Sequence, residues 1–466
     1  MPMTEAPAKT GRKRILTRDR AYYRMLLALA VPISLQNLIT FAVNFADNLM
    51  VGQLGDTAVS GVYMGNQIQT FLQLMLTGVV QITGILAAQY WGKRDTKSIR
   101  SIVSLSMRVA LGLGLFTTVL AIALPKQLIG LLTPDAAVVE AGAEYLTIVA
   151  WGFLFYAASQ ILIAAMRSVE SAKIGMYISL VALFVNIGLN AVLIFGLLGF
   201  PAMGIRGAAI ATSISRVVEC AAAAVYVRYA DKKLNLRLKD FFTKVFSGLV
   251  KDFWRYGLPI LAGEVVWAIN TITQSGILGH LDSAAVTAYS IMGSMHTLVY
   301  IWVTGLSSAV GVITGKTVGS GDVEKVKEYA CTTQLLFFGV GIFTCAFILL
   351  FRAPFVSLYK KVSPEATAYA MQFIVVLAVS MLGSCYQMPC LAGLVKAGGD
   401  VSFVFKNDTL HVFLIVLPAG LLASHFGAAP WFIVLCLKID QFLKCFVAFV
   451  KVNRYKWIKN LTRDNP

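Results

Sequence analysis

Residues 21–52 read AYYRMLLALAVPISLQNLITFAVNFADNLMVG, and this stretch decides the fold. Its apolar character runs well past the ~20 residues a helix needs to cross a hydrocarbon core. One acid, Asp47, stands near its far end. An unpaired carboxylate in such a setting is costly, so its presence needs a reason.

Working outward, the same pattern recurs along the chain. The 466 residues are 58% hydrophobic and only 14% charged, too apolar for an ordinary soluble protein of this length. Twelve helical spans are predicted, at roughly 22–48, 57–91, 100–124, 138–166, 174–198, 205–227, 253–276, 284–316, 326–350, 366–394, 405–424 and 430–450. The fold class is an all-α integral membrane protein.

The formal charge of +17 would suggest nucleic acid in a soluble chain, but here the basic residues cluster between the apolar runs. Alternate connections carry 29 Lys and Arg on one side. The other side has 5: Lys126, Arg206, Arg352, Lys360 and Lys361. That asymmetry predicts both termini and the central connection on the cytoplasmic face of a cell membrane. The basic start, MPMTEAPAKTGRKRILTRDR, lacks a clear small-residue cleavage site before its long apolar run, so it reads as a tail leading into a retained helix. Seven scattered cysteines show no C-x-x-C spacing, which predicts neither a disulfide framework nor a metal site.

The chain also repeats itself. An offset of 227 maps Pro32 to Pro259, Gly52 to Gly279, Gly78 to Gly305, Gly84 to Gly311, Gly92 to Gly319 and Asp95 to Asp322 without a gap. An offset of 229 pairs Arg167 with Lys396. Six spans per half make the repeats parallel, the plan of a V-shaped transporter with a cavity between two lobes. The expected parts are a basic tail 1–21, an N-terminal lobe 22–227, a cytoplasmic linker 228–252, a C-terminal lobe 253–450 and a tail 451–466. The linker's Phe-rich amphipathic pattern suggests a short helix on the membrane face.

Four stretches carry a family resemblance: NFADNLMVGQLGDTAVSGVYMG, AAQYWGKRDTKSIR, MGIRGAAIATSISR and LVKAGGD. In this order they resemble the multidrug and toxic compound extrusion (MATE) family, over roughly residues 20–455. The resemblance implies a twelve-helix, monomeric antiporter with no enzymatic activity, which expels small organic cations or drugs from the cytoplasm in exchange for H⁺ or Na⁺. No cofactor beyond that coupling ion, and no nucleic acid, is expected; the partners are the cargo and the lipid bilayer.

The candidate residues follow. A carboxylate shielded from water can hold a proton, a metal cation or an organic cation, but only one at a time; Asp47 fits that role, or else caps the helix end in water. In the resembling family an acid at this position is functional. Glu264, in LPILAGEVVWAINTITQ, lies deeper, and its repeat partner is Asn37; the partner of Asp47 is Gln274. Glu264 matches a cation-binding glutamate of the NorM-type branch. The tenth-helix aspartate of that branch aligns here with Cys385, and a thiol is a poor ligand for Na⁺. This favours H⁺ at Glu264, with Na⁺ there as the alternative. Asn186 and Asn190 stand one turn apart, where a DinF-like branch has Asn and Asp, and can either hydrogen-bond Asp47 or clamp two helices.

The second span carries Asn66, Gln67, Gln69, Gln73 and Gln81, too many amides for a lipid-facing helix; Gln67, Gln69 and Gln73 are the expected cavity lining. Tyr289, Met292 and His296 share a face of the eighth span. With Trp267 and Tyr300 they offer aromatic and soft surface to a lipophilic cation, or else ordinary core. Two rival functions remain in view. A lipid-linked precursor flippase of the same superfamily needs a cavity rich in Arg and Lys, whereas the mid-helix charges here read as acidic and the basic residues as near helix ends. An intramembrane enzyme needs a histidine cluster that His280, His296, His411 and His425 do not form. No G-x-x-x-x-G-K-[ST] loop follows a strand, which excludes the usual ATP site; GVITGKT resembles it only in part.

Overall fold

The computed structural model describes residues 16–463 apart from 242, 244, 360 and 361. Most of the basic tail expected over 1–21, the last three residues of the tail 451–466, and the Lys360 and Lys361 of the sparse side lie outside the described residues.

The first half contains α1 (Arg20–Val51), α2 (Asp56–Gly92), α3 (Thr96–Ala123), the short α4 (Pro125–Gly130), α5 (Ala136–Val149), α6 (Gly152–Ser168), α7 (Ala172–Phe195) and α8 (Ile205–Val225). The second contains α9 (Ser247–Gly279), α10 (Ser283–Gly319), α11 (Val323–Ser357), α12 (Pro364–Met388), α13 (Val401–His411), α14 (Leu417–His425), α15 (Pro430–Lys438) and α16 (Asp440–Asn453). Acidic caps start many of them. Asp95 and Asp322, repeat partners in sequence, accept the Ser98 and Lys325 backbone N–H at the starts of α3 and α11.

Nine described segments are long and apolar enough to cross a membrane alone, and ten if α5 and α6, bent by 53°, form one span. The two others that complete twelve are α9 and the α15–α16 pair. Both are polar inside: α9 carries Glu264, Asn270 and Gln274, and the last span breaks at Ile439 between Lys438 and Asp440. Thus the two spans least like membrane helices carry Glu264, Asp440 and Lys444 into the second lobe. Irregular turns also mark α12, continued by a π-helical stretch Pro389–Lys396, and the Val412–Val416 junction of α13 with α14.

The linker differs from expectation. Instead of an amphipathic helix over 228–252, it holds a π turn at Tyr226–Ala230 and a 3-10 turn at Leu238–Phe241, before α9 begins at Ser247. Leu234 and Leu236 are buried on alternate positions, an extended period rather than a helical one, and the Leu234 carbonyl accepts from Arg100 Nε at 2.7 Å.

The two lobes touch at the end carrying the first and last described residues. Here the repeated glycines find their reason. A Cβ on Gly92 would lie 1.9 Å from Lys316 O, and one on Gly319 1.8 Å from Gln89 O. Likewise a Cβ on Gly78 would lie 2.4 Å from Leu261 Cδ2, and one on Gly305 2.0 Å from Ser34 Oγ. Each contact is the other's copy under the 227 offset, so α2 of one lobe meets α9 and α10 of the other in a two-fold seam. The first half of α1 extends this seam: Tyr22, Leu26, Leu29 and Ile33 are buried in one cluster with Ala309, Ile313, Tyr329 and Phe337 of the second lobe. The segment after α16 straps both lobes. Leu461 N donates to Gln89 Oε1 at 2.8 Å, and Arg463 holds Asp252 while its own N–H donates to Tyr90 Oη at 3.0 Å.

Candidate functional site

Each lobe buries a polar cluster. In the first, Asn190 Nδ2 donates to Asp47 Oδ1 and, at 3.3 Å, to Asn186 Oδ1. The two asparagines are fully buried on α7, one turn apart, so the sequence spacing does bring them to Asp47. Their remaining Asn186 Nδ2 and Asn190 Oδ1 have no partner. Asp47 is therefore not a solvated helix end.

This cluster also contains residues that sequence reasoning missed. Arg216 Nη1 on α8 pairs with Glu219 Oε2 at 3.1 Å, the two side chains being 12% and 4% exposed. Its guanidinium lies 4.7 Å from the Tyr156 ring centroid, and its charge reaches Asp47. Gln73 Nε2 donates to Tyr156 Oη at 2.8 Å, and Tyr145 Oη donates to Asn66 Oδ1 at 3.1 Å. Gln73 and Asn66 thus belong to the cluster. Gln67 and Gln69 are half-buried on α2 beside it.

In the second lobe, Glu264 Oε1 accepts from Gln81 Nε2 at 2.7 Å, across the seam. Gln81 Oε1 in turn accepts from Lys396 Nζ. The amide is oriented by charge at both ends: its N–H₂ meets a carboxylate and its oxygen an ammonium. Asp408 stands on α13, which approaches α9 beside Glu264: a Cβ on Gly263 would lie 3.9 Å from Phe405 Cδ2. Lys444 on α16 bridges Asp408 and Asp440 at 3.0 Å each.

Cys385 stands apart from these charges. It is 1% exposed in the apolar core, and a Cβ on Gly341 of α11 would lie 3.4 Å from its own Cβ. The substitution of the expected acid by a thiol fits this packing, since an unpaired carboxylate there would be stranded. Met292 is likewise core, 2% exposed, and Tyr289 packs on the same cluster. His296 stacks on Tyr300 with centroids 5.0 Å apart. Trp267 is 52% exposed, with its indole in no described contact with Glu264. The expectation that basic residues keep to helix ends is corrected by Arg216 and Lys444, both inside spans. The signal was present: Arg216 with Glu219 and Asp440 with Lys444 are helical-spaced opposite charges inside apolar runs. Among the described residues no group of three or more His, Cys, Asp and Glu is arranged to hold a metal.

Two repeated six-span lobes that meet along a shared seam, each burying a cluster of charged and polar side chains, define a multi-pass membrane transporter. The chain belongs to the MatE family of multidrug efflux transporters. The MatE family model matches residues 32–192 and again 259–419, the second match displaced by the 227 residues of the repeat. A probable multidrug resistance protein NorM of Rhizobium meliloti (strain 1021) is 29% identical over 429 residues, covering 88% of this chain and 87% of that protein. Multidrug resistance protein MdtK of Photorhabdus laumondii is 25% identical over 408 residues, covering 85% and 86%. A solved structure described as the outward-facing conformation of a multidrug resistance MATE family transporter superposes with TM-score 0.84 at 18% identity, over 95% of this chain and 99% of that one.

Proposed function

We propose that this protein exports organic cations from the cytoplasm in exchange for H⁺ or Na⁺ by alternating access, as a monomer in a bacterial plasma membrane. The side rich in Lys and Arg is taken as cytoplasmic, which places the glycine seam and the strap after α16 at the cytoplasmic end.

The observation that carries this reading is the Glu264–Gln81–Lys396 bridge. It ties the charge of Glu264 to the contact between lobes. A proton or Na⁺ reaching Glu264 from outside weakens a charge-assisted hydrogen bond worth about 1.5–3 kcal/mol. The seam then loosens and the cytoplasmic face opens. Loss of the ion to the cytoplasm restores the bridge. A cytoplasmic cation takes a freed carboxylate, and Asp47 is the one not tied across the seam. Coupling requires that ion and cargo each prefer a different state. H⁺ is favoured at Glu264, because Cys385 supplies no hard ligand; Na⁺ remains the alternative, and Asp47 with Asn190 Oδ1 offers oxygen donors for it in the first lobe.

The flippase alternative is not favoured, because Arg216, Lys396 and Lys444 each face a carboxylate and are not arrayed for phosphate. Proteoliposomes loaded to report ethidium transport, with a pH gradient and a Na⁺ gradient imposed separately, test the proposal. Wild type is expected to respond to the pH gradient. Glu264→Gln is expected to be inactive, and Gln81→Leu to lose about 10–100-fold in driven transport. Intact efflux in both Glu264→Gln and Asp47→Asn would remove both carboxylates from the mechanism. No wild-type transport under either gradient would bring the flippase reading forward.

A further inference from the structure

Lys444, Asp408 and Asp440 have no place in the mechanism above, yet they are three charges set between α13 and α16. Asp440 and Lys444 are 8% and 9% exposed, while Asp408 is 39% exposed. Gln441 Nε2 donates to both Asp440 oxygens at 3.0 Å. Gln441 Oε1 accepts from Ser384 Oγ at 2.8 Å and from Gln387 Nε2 at 3.1 Å on α12. The two helices are close here, since a Cβ on Gly383 would lie 2.6 Å from Gln441 O. The cluster therefore adjoins the turn of α12 from which the expected aspartate is missing.

Holding two helices together does not require this. A buried ion pair is weak support for a fold compared with apolar side chains of similar size. The charge count points elsewhere. Asp408 and Asp440 both face Lys444; with all three ionised, one negative charge is left over. The first lobe repeats the design independently. Arg216 lies 228 residues before Lys444, again on the last span of its lobe, and faces two carboxylates, Asp47 and Glu219. Backbone irregularity flanks the second cluster on both sides, with the π turn Val412–Val416 after Asp408 and the break at Ile439 before Asp440.

We propose that Asp408 is a binding carboxylate for an organic monocation, and that the tethered ammonium of Lys444 is its resting occupant. An incoming cation competes with Lys444 for Asp408. Lys444 falls back on Asp440, four residues earlier on its own helix, so no charge is stranded. This rests on the export reading but adds the site and its built-in competitor.

The test is equilibrium binding of tetraphenylphosphonium to the purified full chain in detergent. Lys444→Met is expected to bind about tenfold more tightly than wild type, and Asp408→Asn about tenfold more weakly. Unchanged or weaker binding by a folded Lys444→Met would make Lys444 a structural clamp and overturn the proposal. If that variant does not fold, Lys444→Arg decides. Its guanidinium grips both carboxylates more firmly, so weaker cation binding supports the site and unchanged binding overturns it. Absence of binding in every variant also overturns it. The same proteins in liposomes separate the two ideas. The expected binding order without gradient-driven transport keeps the site and removes antiport; driven transport with binding indifferent to Asp408 and Lys444 removes the site and keeps antiport.

Discussion

The two lobes solve one seam problem with different chemistry. At position 37 of the first lobe, Asn37 Nδ2 donates across the seam to Thr304 Oγ1 at 3.3 Å. Its repeat partner, Glu264, accepts across the same seam from Gln81. One arm is a neutral amide and the other a carboxylate. At the next matched pair the order reverses: Asp47 takes an amide from its own lobe, while Gln274 donates to Asn270 of its own helix at 3.0 Å. Packing positions are kept in duplicate, whereas the carboxylates Glu264 and Asp47 each have a neutral repeat partner. A seam that can be sensed electrically from one side only gives the transport cycle a direction of control that a symmetric seam would lack.

The largest effect should come from breaking what the lobes share. Ala at Gly92 or at Gly319 drives a Cβ into backbone of the opposite lobe, so the closed seam should fail and driven transport fall by more than ~100-fold. The two variants should be equally impaired in transport and equally open to thiol labelling at the closed end. A clear inequality would show that the seam is not two-fold in use.

A middle-sized effect should sharpen the difference between buried clusters. Arg216→Met strands Glu219 and uncovers the Tyr156 face, and breaking a buried pair costs about 3–5 kcal/mol. The melting temperature of the purified protein should drop, with Arg216→Lys in between because it keeps the charge but loses the planar fork. An unchanged melting temperature would mean that water reaches this cluster.

The smallest concerns a brace that only the second lobe has. Asp400, at the start of α13, is partly desolvated, which pushes its pKa up. Hydrogen bonds from Lys451 and Lys459 outweigh this and hold it below the usual carboxylate range. Its contribution is therefore complete above the ordinary value of about 3.9 and is lost as pH falls through the lowered one. Asp400→Asn should lower the melting temperature less than Arg216→Met, because the amide oxygen still accepts a lysine hydrogen bond, and should flatten the acid limb of melting temperature against pH. The repeat equivalent is Ser171, which bears no such charge, so an identical acid limb in the variant would remove the brace from this contrast.

Much of this was legible in the chain. Apolar run length gave twelve spans, and the 227 offset gave two lobes, because both are local or periodic properties. Asp47 with Asn190 followed from helical spacing plus the family resemblance. Three things were hidden. The bend inside residues 136–168 has no proline to announce it. The linker's alternating leucines were outvoted by its phenylalanines. Above all, the contacts of Arg216 with Tyr156 and of Lys444 with Asp408 join residues far apart in sequence, which only folding brings together. Cys385 and Met292 lie in the apolar core, because the facing of a residue on a helix is decided by the neighbour it packs against.

The glycine seam has an ancestral consequence. Its contacts come in exchanged pairs, Gly78 to Leu261 with Gly305 to Ser34, and Gly92 to Lys316 with Gly319 to Gln89. That is the contact pattern of an isologous homodimer, in which patch i meets patch j and j meets i. The fused chain keeps the geometry that two identical half-length polypeptides would need to meet in a bilayer. Fusion then freed each copy to mutate alone, and a lone glutamate could appear on one side of a joint that was once obliged to be the same on both.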